Sequence, residues 1–381
     1  MAQRSRSAIK NIRRADQRRQ TETEQSNGGS KDWNQARNQR KVMWFGGSIA
    51  FVVVALTGAW FFVASQVGSL VERELEALNT PQQTLTCAGQ DIVGFPFRLG
   101  LRCEQVEFAS EPDGLVVQAG TLLTAAQVYA PRHQIIELKS PVRIETPRSF
   151  PMVIDWDSAR SSVRINSSNA LQRFVLEIAN VSASTALPDA PARKLISLTK
   201  LFSVAEPFAF EGQEEANDLR MFVQADAIVP SGITMPPFNF EGTIALDNGT
   251  ELLADPDQWL AALPQLREPI QLEGVTLRTG NMRIELSGRL SVNGAGLLNG
   301  TIRMAGQGLE DGLTALQQGI DPRATELKQT LDTLVPTILA LAQPDADNPN
   351  IRNAPPIIIR DGRVVLGLLP LGEIPPLRFG N

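Results

Sequence analysis

From Val42 to Ala64 the chain reads VMWFGGSIAFVVVALTGAWFFVA, 23 residues without a single charge. At about 1.5 Å per residue, a helix of that length crosses a hydrocarbon layer about 30 Å thick. No other feature limits the fold so strongly, because the chain before such a segment and the chain after it lie in different compartments. Trp44, Trp60, Phe61 and Phe62 fall near its two ends, where aromatic belts sit. A cleaved signal peptide has a shorter apolar core of about 7–15 residues and a small-x-small site, which Phe62 spoils here before Ser65. The segment is therefore read as an uncleaved signal anchor, a single transmembrane helix over 42–64.

Charge gives the orientation. Residues 1–41 carry eleven basic side chains against four acidic ones, while the whole chain of 381 residues has a net charge of −5. The flank after the span holds Arg73 among Glu72, Glu74 and Glu76. Under the positive-inside rule the basic tail is cytoplasmic and the acidic body faces outward, into the periplasm of a Gram-negative cell. The tail, rich in Gln, Asn, Ser and Arg, lacks apolar periodicity and is expected to be disordered. Its basic residues set topology and touch anionic lipid heads; nucleic acid is not an expected partner. Residues 65–80, SQVGSLVERELEALNT, read as a helical stalk that Pro81 stops, and 81–381 as one β-rich periplasmic domain.

The signal in that domain is period two. In NMRIELSGRLSV the apolar residues Met282, Ile284, Leu286, Leu290 and Val292 take even positions, and Arg283, Glu285, Ser287, Arg289 and Ser291 the odd ones. Such alternation predicts a strand with one dry and one wet face. Asn293-Gly294 supplies a turn and LLNGTIRMAG a returning partner; Asn248-Gly249 and Asp361-Gly362 repeat the punctuation. The fold class is thus mainly β, a large curved antiparallel sheet with a few packed helices, α+β overall. Helix is expected over 309–342, where Leu313, Leu316 and Ile320 share one face and Leu327, Leu331, Leu334, Ile338 and Leu341 another. Asp321 would cap the second helix with Pro322 at its first position, Pro336 would kink it, and a short helix is expected near 255–263.

Cys87 and Cys103 are the only two cysteines, and they bracket Gly94-Phe95-Pro96-Phe97. In an oxidising space they form either a structural disulfide, worth roughly 3 kcal/mol for a loop of this size, or a pair of free thiols. No Cys-x-x-Cys spacing and a single histidine, His133, argue against redox and zinc chemistry. Phe95, Pro96 and Phe97 either fill the core beneath the cysteines or form a docking patch. His133 reads as a polar surface residue rather than a catalytic base, and Asp155 and Asp157 as carboxylates on the wet face of a strand. No cofactor, metal or catalytic residue is expected, and the chain is not read as an enzyme.

A resemblance becomes visible in GFPFRLGLRC at 94–103, AAQVYAPRHQIIELKSPV at 125–142, GRLSVNGAGLLNGTI at 288–302 and RDGRVVLGLLPLGEIPPL at 360–377. Together with the anchor, over about 43–377, these are similar to membrane-anchored alphaproteobacterial proteins of domain-of-unknown-function family 2125. That family has no established activity, so the resemblance implies architecture and membrane association and transfers no catalytic residue. More distantly, the phrasing from Gly288 to Gly300 is similar to the sheets of AsmA-like envelope proteins, which implies lipid shielding. The partners expected are the bilayer, through 42–64, and either lipid or an envelope protein. Met282, Ile284, Leu286, Leu290 and Val292 then face lipid or fill an ordinary core.

Overall fold

The computed structural model describes residues 43–112, 114–147, 149–168, 170–187, 191–211, 217–250, 262–321, 324–367 and 369–377, with the backbone alone at 149, 326 and 327. The expected disordered tail and most of the expected helix at 255–263 lie outside these. Two compact units divide the chain, 1–66 and 67–381. Helix α1, Met43–Leu78, is long and apolar enough to cross a membrane. It bares Trp44, Phe51 and Phe62, side chains a water-soluble helix would bury.

The body is antiparallel sheet. In chain order the strands are β1 (Gln83–Ala88), β2 (Asp91–Val93), β3 (Arg98–Cys103), β4 (Gln105–Ser110), β5 (Leu115–Ala119), β6 (Leu122–Gln127) and β7 (Ala130–Leu138). Then come β8 (Val142–Thr146), β9 (Ser149–Asp155), β10 (Ser158–Ile165), β11 (Leu171–Thr185), β12 (Lys194–Phe208), β13 (Asp218–Pro230) and β14 (Phe238–Leu246). The last are β15 (Ile270–Thr279), β16 (Met282–Val292), β17 (Leu298–Gln307), β18 (Gln343–Pro344), β19 (Ile351–Arg360), β20 (Arg363–Leu366) and β21 (Leu369–Glu373). A 3-10 turn, Leu263–Gln265, precedes β15. Helices α2 (Leu309–Gly319) and α3 (Thr325–Leu341) lie between β17 and β18.

The sheet forks at β11. Its first half, Leu171–Ala179, pairs with β10; its end, Ser182–Thr185, pairs with β9. One arm runs β9–β8–β5–β4–β1 and the other β10–β7–β6–β3–β2. Asn180 occupies the fork at φ 54°, and its amide donates to Asp157 Oδ2 at 2.6 Å. Cys87 on β1 and Cys103 on β3 are bonded, with Cα atoms 5.3 Å apart. The disulfide thus ties the outer strand of one arm to the other arm. Beyond the fork, β11 to β17 follow one another as a meander, continued by β19, β20 and β21.

The turns follow local chemistry. Asp361 and Gly362, at φ 48° and 78°, join β19 to β20 as the hairpin dipeptide requires. After β16 the left-handed residue is Gly296, φ 76°, not Gly294, because Asn293 Oδ1 accepts from the amides of both Ala295 and Leu297 and wraps a longer loop. Asn248-Gly249 makes no tight hairpin: β14 and β15 pair across a connection of more than twenty residues. The expected cap is also corrected. Ala324, not Asp321, precedes α3 and gives no side-chain cap, because the Asp321 carbonyl accepts the Ala324 amide in a turn. Helix α3 runs through Pro336; Val335 is buried in it, while Leu341 is exposed.

Candidate functional site

Strand β16 alternates as its sequence requires: Arg283, Glu285, Ser287, Arg289 and Ser291 are exposed, while the even positions turn inward. Only the two ends of the inward row, Met282 and Val292, are buried; Ile284, Leu286 and Leu290 remain half-buried. Helix α2 covers one end, where a Cβ at Gly312 would strike the Met282 side chain. The 3-10 turn also packs on β16, and α3 packs on β19.

Register extends this row across the sheet. Ile284 and Leu286 lie opposite Leu277 and Val275 of β15, and Leu277 opposite Phe240 of β14. Ile244 faces Met221 of β13, Ala225 faces Leu201 of β12, and Leu201 faces Ile178 of β11. In the other direction Leu286 faces Met304 of β17, and Ile302 faces Ile357 of β19. Residues opposite in register share a face, so one apolar band crosses eight strands. Within it Leu219, Ala205 and Ala225 are buried, whereas Phe240, Ile244, Leu272, Leu277, Ile302 and Met304 are half-buried.

The other face is polar. Ion pairs cross its strands at Arg173–Glu206 (3.2 Å), Lys200–Glu177 (3.6 Å), Arg220–Glu273 (3.4 Å) and Arg278–Glu241. Phe202 and Phe222 pack among them, with Lys200 over the Phe202 ring. Exposed pairs of this kind each contribute about 0–1 kcal/mol, so their main consequence is register. From β14 to β17 one face is apolar and the other mainly polar, whereas on β11 to β13 Val175, Val204 and Phe222 line up on the charged face as well.

The turn at Gly94–Phe97 departs from expectation. Phe95 and Phe97 are 51% and 62% exposed, so they do not fill a core beneath the disulfide. They lie in a turn that contains a cis Phe95–Pro96 bond, and the Phe97 carbonyl accepts the Val128 amide. That brings the exposed Val128 and Tyr129 of the β6–β7 turn beside them. The sequence hides this neighbour because the two turns are thirty residues apart.

Neither cysteine is free, so the thiol alternative falls. His133 contacts Ser162 Oγ at 2.9 Å through Nε2, and no carboxylate bonds the ring among the described residues. Asp155 ends β9 and Asp157 lies beyond it, so the two do not share a strand face. Asp157 holds the fork through Asn180. Two acids that sequence reasoning passed over, Asp218 and Asp247, are buried. Asp218 accepts the amides of Phe210 and Asn248, and Asp247 accepts that of Arg267, whose guanidinium lies 3.5 Å away. Both close strand ends. Among the described residues no group of three or more His, Cys, Asp or Glu side chains is placed to hold a metal.

The family model described as "Uncharacterized protein conserved in bacteria (DUF2125)" matches residues 60–375. No curated protein and no solved structure matches the chain.

Proposed function

The chain belongs to that family, and we propose that it is a membrane-anchored envelope protein whose sheet holds acyl chains against its apolar band. In this reading α1 is the anchor, the basic tail stays in the cytoplasm and the body lies in the periplasm. The tail's charge and the Cys87–Cys103 bond support that placement. The observation that carries lipid contact is the half-buried state of Ile284, Leu286 and Leu290 between buried ends. An ordinary core would bury such side chains, each worth about 1.5–3 kcal/mol. Here the helices leave the middle of the band for a ligand as apolar as the side chains themselves.

The test is native mass spectrometry of the full chain extracted in mild detergent. The wild type is expected to carry phospholipid mass, and Ile284→Glu to lose it while melting as a folded protein. A lipid-free wild type, or lipid retained by Ile284→Glu, would count against the reading.

A second reading rests on the exposed cluster Phe95, Phe97, Val128 and Tyr129. Apolar side chains gathered on two adjoining turns suit a protein partner. Photocrosslinking from Phe97 in intact cells tests it; a discrete protein adduct is expected, and none would dismiss the patch as a docking site.

A further inference from the structure

On the polar face of β15, β16 and β17 lies a hollow of about 640 Å³. Its polar lining is Arg289, Arg303, Gln271, Ser287, Ser291 and Thr301, and no carboxylate lines it. Thr301 and Gln271 lie directly across from Arg289, and Ser287 directly across from Arg303. The two arginines are therefore diagonal neighbours, about 7–8 Å apart along the backbone and somewhat closer at Cβ. Gly288 and Gly300 also line it; in register they stand opposite Ile302 and Leu290, and a Cβ on either would strike the backbone of the facing strand.

What distinguishes this place is the missing counter-charge. Elsewhere on this face Arg173, Lys200, Arg220, Arg278 and Arg283 each sit against a glutamate. The side chains of Arg289 and Arg303 make no ion pair or hydrogen bond among the described residues, and neither do those of Gln271, Ser287, Ser291 or Thr301. Glu285, the acid diagonal to Arg303 in register, is already taken by Arg283 at 2.7 Å. Two like charges held as neighbours repel, in a chain that is acidic overall, unless an anion lies between them.

We propose that Arg289 and Arg303 form a binding site for the phosphate group of an organic phosphate, whose polar body fills the rest of the hollow. Guanidinium forks match phosphate oxygens two at a time. The three hydroxyls and the Gln271 amide supply neutral partners for a hydroxylated body, such as glycerol or a sugar. The site lies on the face opposite the apolar band and does not rest on acyl binding, so Ile284→Glu leaves it intact.

Calorimetric titration of the full chain in phosphatidylcholine nanodiscs with glycerol phosphate tests the site. Saturable binding is expected, weakened at least tenfold by Arg289→Gln and by Arg303→Gln. Arg143→Gln, which removes an exposed arginine on β8, should bind as the wild type does. Absence of saturable binding, or equal binding in all four proteins, would overturn the assignment. Repeating the titration with phosphatidic acid in the nanodisc separates the sources. Loss of glycerol phosphate binding there identifies a lipid headgroup as occupant, and unchanged binding identifies a soluble phosphate.

Discussion

Gly362 illustrates how much rests on single residues. Its φ of 78° belongs to the left-handed region, and a Cβ there would lie 2.5 Å from the Ile374 carbonyl oxygen. Gly362→Ala should therefore cost about 1–2 kcal/mol, read as a lowered denaturant midpoint. Asp345 sets a different dependence. Its carboxylate accepts from Asn353 at 2.8 Å and from the amides of Asp347 and Asn348, bonds that hold its pKa below the ordinary 3.8, the Asn353 bond most of all. A depressed folded pKa stabilises the turn above the unfolded value, and the gain is lost as pH falls through the folded one. Amide exchange at Asp347 and Asn348 should be protected at about pH 5 and lose that protection as the pH falls below 3.8; protection indifferent to pH would show that the carboxylate does not hold the turn.

Among elements, the disulfide and β13 carry the clearest consequences. Replacing Cys87 and Cys103 by Ser removes the tie between the two arms and should cost roughly 3 kcal/mol, seen as a drop in melting temperature that reductant reproduces in the wild type. Leu219 on β13 is 2% exposed, so Leu219→Ala should cost about 2–5 kcal/mol. Ile284→Ala, in the half-buried row, should cost less than Leu219→Ala; equal losses in chemical denaturation would mean that the band is ordinary core. Strand β16, the Asp361-Gly362 hairpin and both late helices were legible because their signals are local: alternation, a turn dipeptide and a helical stripe. The fork was not. Asn180 and Asp157 lie 23 residues apart, and nothing in either segment announces that β11 changes partner there. The burial of Val335 in place of Leu341 likewise depends on which side of α3 meets β19.

At the scale of the whole molecule, a helix whose first half is uncharged precedes a sheet that carries an apolar band on one face and cross-strand ion pairs on the other. Period two in the sequence foretold both faces of β16 and could not foretell whether anything covers the inner one, because coverage is set by where α2 and α3 land. They pack on β16 and β19, and Phe240, Ile244, Leu272 and Leu277 of β14 and β15 stay half-buried. The central claim is that acyl chains lie on this band. It is tested most directly by photocrosslinking in intact membranes from two adjacent positions of β14, Ile244 on the band and Thr243 on the charged face. Lipid adducts at Ile244 and none at Thr243 are the predicted result; adducts at neither position, or at both alike, would contradict it.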